Sequence, residues 1–540
     1  MVIKNRLLLP SITSAAAVIG TISLLFFLYL DNNNITNQRY DNNDTSFPVL
    51  RSPYDESLKI QLVAKGLSHP TSMAFVGGRA REGGREVGEN NANNILVTEK
   101  NGTLRLISGG LLNPQPVLKL NVNALAERGL LGVAAAADTT AVTNTTNTTT
   151  INHDNSNNNK RDMGTHSTGN NSSTSNSNDG GINLVSNKTD ADTHAYDKKY
   201  DIFLYYTQAE PLRNRVYEYQ WNGKENTKLV NPKLILDLPA KPGPYHQGGK
   251  LKLSQDNKFL YTVIGDLTSP NTKLQNNKHG KNPYDTSVIL KMNLNNISSA
   301  TSTIHINMTG QASSSSSSPL PHINGGSNLS NNNNGINNNN NTNNNNSNYS
   351  SYYFAYGIRN SFGLAIDPLT GNLWDTENGE DKYDEINLVK PGFNSGWIRV
   401  MGPISRNDNS SIKQQELVNF PGSKYADPVF SWKHDIGITD IEFLNSSKLG
   451  NEYKNNIFVG DINYGNLYYF EVNGSRTGVK ISPKFNAAGL ADLVADDSRE
   501  ASPTIFGSNF GRITDIETGP DGFLYILSYD EGKIYRIVPS

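Results

Sequence analysis

A hairpin-like pattern that occurs six times is the feature that most constrains the fold of this sequence. In each copy an apolar strand and a polar turn precede a second strand that ends in an aliphatic residue, as in NILVTEKNGTLRLI from Asn94. Short apolar runs bounded by Gly, Asn and Asp are typical of β-hairpins. The remaining copies begin at Asp201, Lys258, Gly371, Asn456 and Gly522.

Six such repeats predict an all-β fold, because helical periodicity is almost absent between them. A single hairpin sheet cannot bury both of its faces, whereas sheets arranged radially cover one another. We therefore expect a six-bladed β-propeller over residues 58–540. The strand at 58–67 precedes the first hairpin, so we expect it to pair with the last strand and close the ring. A β-sandwich, or two separate β domains, is the alternative.

The N-terminal segment predicts a membrane anchor. Residues 7–30 form an apolar run with Lys4 and Arg6 in front and a polar stretch behind, which is long enough to cross a bilayer. The sequence thus predicts a transmembrane helix within 1–30, a polar linker at 31–57 and a single-pass cell-membrane protein with its propeller outside. A cleaved signal peptide, giving a secreted protein, is the alternative. Asn-x-Ser/Thr triplets would then be glycosylation acceptors.

Two segments, at about 139–195 and 309–350, consist almost entirely of Asn, Ser, Thr and other polar residues. Such composition buries too little apolar area to offset the entropy of ordering, so both are predicted to be disordered insertions. A glycine-rich stretch near 77–93 separates a strand from its hairpin partner and is predicted to be a loop.

Charge and cysteine content exclude several classes of function. The 48 Lys and Arg residues against 50 Asp and Glu residues leave a net charge of −2, so there is no basic field to attract nucleic acid. The absence of cysteine excludes disulfides, thiolate zinc sites and iron–sulfur clusters. Catalysis would require oxygen and nitrogen groups, or a cofactor.

Loops beside the hairpins contain charged and imidazole groups that could take part in catalysis. Propellers gather such loops at one end of a central channel. His246 lies in YHQGGKL; its imidazole can accept a hydroxyl proton, and the glycines that follow would let a ligand approach the backbone. Arg359 and Asn360 precede a strand, and a guanidinium is a planar donor for carboxylates or a reduced oxyanion. Structural roles in turns are the alternative.

Two further motifs carry charge. Residues 377–387, ENGEDKYDEIN, concentrate the oxygen ligands that calcium prefers, although their spacing is not that of an EF-hand and a solvated acidic turn is the alternative. Arg512 precedes a strand near the end of the chain and can either face the channel or form a surface salt bridge.

These motifs, in this order, resemble those of the glucose/sorbosone dehydrogenase family of quinoproteins, which includes aldose sugar dehydrogenases. The resemblance extends from about residue 58 to the C-terminus without the insertions. It implies a six-bladed propeller that oxidises a sugar at its anomeric carbon, with hydride transfer to pyrroloquinoline quinone (PQQ) and electrons passing on to an acceptor. Its segments include GLSHPTSMAF, ERGLLGVA, YHQGGKL, AYGIRNSFGLAIDPLTGNLWDTENG, DEINLVKPGFNSGW and GRITDIETGPDGFLYIL.

The resemblance also implies roles for individual residues in binding and reducing the quinone. His246 looks like the general base, and Arg359, beside the reacting carbonyl, looks like a catalytic and cofactor-contacting group. Asn360 resembles a second residue that contacts the cofactor, and Arg512 resembles a residue that binds a carboxylate of the cofactor.

Calcium positions are implied in the same way. Gly379 and Glu380 fall where backbone carbonyls hold the cofactor's Ca²⁺, and Glu385 falls at a second Ca²⁺ position.

Three positions depart from the family pattern. Phe362 replaces an amide, Asn463 replaces a basic residue, and Thr514 replaces a second arginine. Each charge-assisted hydrogen bond lost in this way costs roughly 1.5 to 3 kcal/mol. Two functions therefore remain: a sugar dehydrogenase, or a propeller that has lost the cofactor and acts as a binding module.

Overall fold

A computed structural model of the protein describes residues 47–51, 57–77, 94–137, 199–221, 228–281, 284–294, 352–407, 412–481 and 489–540. The predicted anchor at 7–30 and the predicted insertions at 139–195 and 309–350 lie outside these residues. In the described part of the chain no helix is sufficiently long and apolar to span a membrane. Its helices are one α-helical turn and short 3-10 turns, at Ser498–Ala501, Lys273–Gln275, Ile404–Arg406, Gln414–Glu416, Leu490–Asp492 and Ser502–Thr504.

The strands of the described residues form six sheets, numbered here by the chain position of their innermost strands. Each sheet contains one of the six predicted hairpins. The first comprises Pro70–Val76, Asn94–Glu99, Thr103–Ser108, Leu111–Leu112 and Leu118–Lys119. The second comprises Leu130–Ala137, Tyr200–Gln208, Arg213–Trp221 and Val230–Pro239. The third comprises Leu251–Leu253, Phe259–Ile264, Val288–Asn293, Tyr352–Tyr356, Phe393–Asn394 and Lys424–Tyr425.

The later sheets combine local hairpins with segments distant in sequence. The fourth comprises Ser361–Ile366, Leu373–Glu377, Asp384–Val389, Phe430–Trp432 and Val494–Ala495. The fifth comprises Ile438–Phe443, Ile457–Asp461, Leu467–Val472, Val479–Lys480, Ile505–Ser508 and Val49–Leu50. The sixth comprises Ile513–Thr518, Leu524–Ser528, Lys533–Pro539 and Leu58–Lys65.

The hydrophobic core lies between neighbouring sheets. Leu96 of the first sheet and Ile202 of the second share one apolar cluster, and similar clusters join each later pair of sheets in chain order. One further cluster, which contains Met73 and Tyr525, joins the sixth sheet to the first. Each sheet thus covers the face that its neighbour cannot bury alone, and the predicted all-β, propeller-like arrangement is confirmed.

Strands that are far apart in sequence complete the sixth sheet. Leu58–Lys65 pairs antiparallel with Lys533–Pro539, with Leu58 opposite Pro539. The expectation that segments from both ends of the chain share one sheet is confirmed. Two residues of the predicted linker also pair with a sheet, since Val49–Leu50 lies antiparallel to Ile505–Ser508.

Buried charges join the innermost strands of three sheets. The Lys250 ammonium lies 2.8 Å from Asp440 Oδ2 and also bonds Asp515, and Lys252 Nζ lies 2.9 Å from Glu442 Oε2. The Asp440, Asp515 and Glu517 carboxylates are close enough together to ligate a metal ion, but Lys250 already supplies their counter-charge. This network was not anticipated from the sequence.

Candidate functional site

His246 lies in the loop that leads into the innermost strand of the third sheet. Its backbone has a positive φ of 60°, and its N–H donates to Glu127 Oε2 over 2.5 Å. Its imidazole is 12% exposed, and Nδ1 lies 2.5 Å from Asp266 Oδ1. The structure therefore holds the predicted base by both its main chain and its ring.

Asp266 follows the next strand of the same sheet and is buried. It accepts the Thr268 N–H over 2.8 Å and the Trp397 indole N–H over 2.8 Å. Burial alone would raise the pKa of Asp266, but the bond and charge of His246, the Thr268 N–H and the charge of Arg359 lower it below its ordinary value. An ionised carboxylate can only accept, so Nδ1 of His246 donates to Asp266, and Nε2 is the ring nitrogen that does not face this carboxylate.

Arg359 lies beside this pair. Its main-chain carbonyl accepts the Asp266 N–H over 3.0 Å, and its guanidinium carbon lies 5.5 Å from the centroid of the Trp397 ring. Nη1 donates to the Asn378 carbonyl over 3.1 Å, whereas Nε is buried and has no partner in the part of the chain that the structure describes. The structure thus brings Arg359 to the His246–Asp266 pair, with part of its donor capacity unused.

Asn360 and Glu127 complete this group. The Asn360 Nδ2 lies 3.4 Å from Glu127 Oε2 and 3.5 Å from Oε1, while its Oδ1 is buried with no partner among the described residues. Sequence reasoning missed Glu127, Asp266 and Trp397. Glu127 lies in ERGLLGVA just before a strand, as His246 does in its own segment. This position is the sequence feature that could have identified Glu127 as a site residue.

The two glycines after His246 have a different role from the one expected. A Cβ on Gly248 would lie 2.2 Å from the Val263 carbonyl oxygen, and one on Gly249 would lie 2.6 Å from Leu131 Cβ. Both also have positive φ. The space beside them is filled by the protein itself, so they permit close packing of the loop instead of ligand approach.

Arg512 lies at a separate contact. Its Nε is 3.1 Å from Asp530 Oδ2, and its side chain is 37% exposed. Thr514, at the position of the missing second arginine, donates its hydroxyl to the Pro70 carbonyl over 2.9 Å. Asn463 lies in the turn between Ile457–Asp461 and Leu467–Val472, as predicted.

A buried group of carboxylates lies on one face of the fourth sheet. Glu377 is opposite Glu385, and Asp375 is opposite Asn387. Among the described residues no donor lies within hydrogen-bonding distance of either Asp375 oxygen, and Asn387 Oδ1 and the hydroxyl of Ser431, which is opposite Glu385, are also buried without partners there. These are oxygen donors of the kind that calcium prefers.

Burial and mutual repulsion affect the ionisation of these carboxylates. Burial raises the pKa of Glu377 to about 7, against the lowering effect of the Arg359 N–H and the Ser395 hydroxyl. Burial, and then the charge of Glu377, raises the pKa of Asp375 and of Glu385 well above the ordinary values. In the described part of the chain neither Asp375 nor Glu385 forms an ion pair with a cation. A bound cation would relieve this repulsion.

The predicted calcium residues are not equivalent in the structure. Glu385 belongs to the buried group, whereas Glu380 is exposed in the loop between the hairpin strands. Gly379 forms the tight start of that loop, where its N–H donates to Asp384 Oδ1 over 3.1 Å and an added Cβ would meet the Lys382 carbonyl. Asp375, Glu377 and Asn387 were missed as members of the group.

The sequence of this region matches a known family. The family model described as "Glucose / Sorbosone dehydrogenase" matches residues 301–536, which include Arg359, the buried carboxylates and Arg512. The resemblance to the glucose/sorbosone dehydrogenases is confirmed.

Individual relatives agree with this result. The aldose sugar dehydrogenase YliI of Escherichia coli is 30% identical over 186 residues, which cover 34% of this chain and 43% of that protein. The chain spans less than half the length of the curated relatives it matches.

Solved structures support the fold. A glucose dehydrogenase crystal structure matches with a TM-score of 0.51 and 18% identity, covering 89% of this chain and all of the other. The PQQ-bound aldose sugar dehydrogenase of Streptomyces coelicolor matches with a TM-score of 0.50 and 17% identity, covering 92% of this chain and all of the other. At this identity the likeness concerns the fold alone.

Proposed function

We propose that this protein is a PQQ-dependent dehydrogenase that oxidises aldose sugars at the anomeric carbon and passes electrons to an acceptor. In this proposal the six sheets are the six blades of one propeller. The observation that carries it is the His246–Asp266 pair, which lies against Arg359 in a chain homologous to sugar dehydrogenases.

The residues of the site suit the proposed chemistry. His246 Nε2 would take the proton of the anomeric hydroxyl, a role worth roughly 10²- to 10⁴-fold in rate. Asp266 would stabilise the imidazolium, and the Trp397 indole N–H would orient Asp266. Arg359 would stabilise negative charge developing near the reacting atoms.

Of the two arginines that the family resemblance assigns to the quinone, Arg359 has a donor available for it and Arg512 does not. Arg359 has an Nε without a partner among the described residues, and its guanidinium carbon lies 5.5 Å from the centroid of the Trp397 ring, so it would contact an anionic or polarised quinone oxygen. PQQ, when bound, supplies the acceptor for the hydride. For a cofactor carboxylate, Arg512 would have to leave Asp530.

Calcium is assigned to the buried carboxylate group. Glu385, Asp375 and Asn387 would hold it, because their oxygens are buried and several lack partners. The ion would supply the positive charge that this face of the fourth sheet lacks.

A binding module without the cofactor is the second candidate. It is favoured by the Arg512–Asp530 ion pair and by the Thr514 hydroxyl, which is engaged by the Pro70 carbonyl. These contacts occupy the positions where the family resemblance implies partners for cofactor carboxylates.

The location of the protein is also part of the proposal. The apolar run at 7–30 with its basic flank supports a membrane-anchored protein with the propeller outside the cell, or a secreted one if that segment is cleaved.

Reconstitution tests the choice between enzyme and binding module. The purified chain is incubated with PQQ and calcium, and dye reduction is followed with a panel of aldoses, with a sample lacking PQQ as the control. Quinone-dependent reduction is expected. A chain that neither binds the quinone in titrations nor reduces the dye would be the binding module.

A further inference from the structure

Gln247 directly follows the predicted base, is fully buried, and is not used by the proposed mechanism. Its side-chain NH₂ donates to the Gly243 carbonyl over 2.9 Å and to the Tyr245 carbonyl over 3.0 Å. Its Oε1 accepts the Asn214 side-chain NH₂ over 2.8 Å. The amide is therefore engaged at both ends, and its two donated bonds tie the segment before His246 to the residue after it.

The partners that hold Gln247 belong to the second sheet and are buried as well. Asn214 also donates to the Pro239 carbonyl over 2.8 Å, and its Oδ1 accepts the Thr207 hydroxyl over 2.7 Å. The Tyr205 hydroxyl donates to the Gln247 main-chain carbonyl over 2.9 Å. A buried network whose members are bonded in this way is rigid, so it fixes Gln247 from a neighbouring sheet.

Backbone carbonyls determine which way each side-chain amide points. A carbonyl oxygen only accepts hydrogen bonds, so Asn214 must turn its NH₂ to Pro239, and Gln247 must turn its NH₂ to the loop. Reversing the Gln247 amide would place its oxygen against two carbonyls and its NH₂ against that of Asn214. The network therefore has a single direction, and it ends on the loop that carries the base.

His246 needs such support because its backbone conformation is unfavourable. Its φ is 60°, a region in which Cβ crowds the following carbonyl oxygen, and a residue with a side chain stays there only when its surroundings enforce it. In the extended region its Cα–Cβ bond would point in another direction, and the imidazole would leave Asp266. The bonds of Gln247 fix the chain on both sides of this residue.

We propose that Gln247 is a positioning residue for His246, and that the amide network anchored in the second sheet holds the imidazole against Asp266. This inference rests on the proposed function only for the catalytic role of His246, since the geometry belongs to the chain without quinone or sugar. The network acts on the reaction through the direction of the imidazole, so its loss should lower kcat more than it raises KM.

Proton NMR of the full chain tests the geometry without turnover. The Nδ1 proton of an imidazole bonded to a buried carboxylate resonates far downfield, because the bond is short and charge-assisted, and the signal of His246 is assigned by its loss in His246→Ala. Gln247→Met has nearly the same shape but no amide to donate or accept. We expect it to lose this signal and, in the reconstituted enzyme, to lower kcat by roughly tenfold to 10²-fold with a smaller change in KM.

Two further variants separate the positioning role from general damage to the fold. Tyr205→Phe removes only the hydroxyl that bonds the Gln247 carbonyl and should weaken the signal and lower kcat less than Gln247→Met does. Gln415→Met, at an exposed site, should leave both unchanged. A wild-type signal and kcat in Gln247→Met, or in Tyr205→Phe if the first variant does not fold, would overturn the proposal. If the signal is lost as expected but wild type oxidises no aldose, the dehydrogenase function fails and the positioning of His246 by Gln247 stands.

Discussion

Asp266 and His246 form the central contact of the candidate site, with Oδ1 and Nδ1 separated by 2.5 Å and the second Asp266 oxygen accepting the Trp397 indole N–H over 2.8 Å. Because both carboxylate oxygens are engaged, the ring of His246 has one preferred orientation. The outward nitrogen is then the one available to a substrate.

Replacing His246 with Ala should remove the base while leaving most other contacts of the site. We expect a roughly 10²- to 10⁴-fold loss of kcat in the reconstituted enzyme, with quinone affinity changed little. Stopped-flow dye reduction and quinone titration measure the two effects. His279→Ala, at an exposed site, is the control, and normal turnover of His246→Ala would remove His246 from the base role.

The change Asp266→Asn should affect kcat more than KM. The amide has one acceptor oxygen where the carboxylate has two, so the amide NH₂ would face either the Nδ1 proton of His246 or the Trp397 indole N–H. The imidazole ring would then lose its tautomer or its orientation. We expect a roughly 10²- to 10⁴-fold fall in kcat with a smaller change in KM. Asp256→Asn, an exposed carboxylate, serves as the matched control. A fall confined to KM would show that Asp266 acts in binding.

Local patterns were sufficient to predict the strands, whereas the site depends on contacts between distant loops. The hairpin from Asn94 is visible in the sequence because its apolar runs and its turn are contiguous. By contrast, Trp397 is far along the chain from Asp266, and no spacing indicates that its indole N–H will bond that carboxylate. Glu127 was missed for the same reason, although its place before a strand was visible.

Calcium should stabilise the protein more strongly at higher pH. The raised pKa of Glu377, about 7, means that between roughly pH 4.5 and 7 the folded state holds a proton that the unfolded state has released. In calcium-free buffer the free energy of unfolding should therefore fall as pH rises through this window, by on the order of 3 kcal/mol. Thermal unfolding with EDTA or with calcium, at several pH values, measures this.

Asp375→Asn tests the assignment of the ion to this group. Loss of one buried charge should weaken the pH dependence in EDTA and also reduce the calcium-induced rise in Tm, whereas Asp256→Asn should leave both unchanged. A calcium effect of full size in Asp375→Asn would place the ion elsewhere.

Such buried carboxylates also show why the acidic motif was hard to interpret from sequence. Residues 377–387 have the composition of a solvated turn, and Glu380 is indeed exposed. Glu377 and Glu385, however, belong to paired strands, and only the neighbouring sheet determines which strand face is buried.

Residues 138–199 should be replaceable by a short turn. Ala137 and Tyr200 are register partners, so a two-residue turn can join the strands, and these positions are at the strand ends away from Glu127. Shortening the connection should raise the free energy of unfolding by roughly 3 kcal/mol and preserve dye reduction. Tm and activity are compared with those of a chain in which the same segment is scrambled. An unfolded product would show that the segment is needed for the fold.

The pairing of Leu58–Lys65 with Lys533–Pro539 affects how the chain must be made. During translation the first of these strands leaves the ribosome long before its partner exists, and until then it has no strand to pair with. Contacts so distant in sequence form slowly, and an unpaired edge invites association with other chains. Newly synthesised molecules should therefore depend on chaperones until this final junction is made.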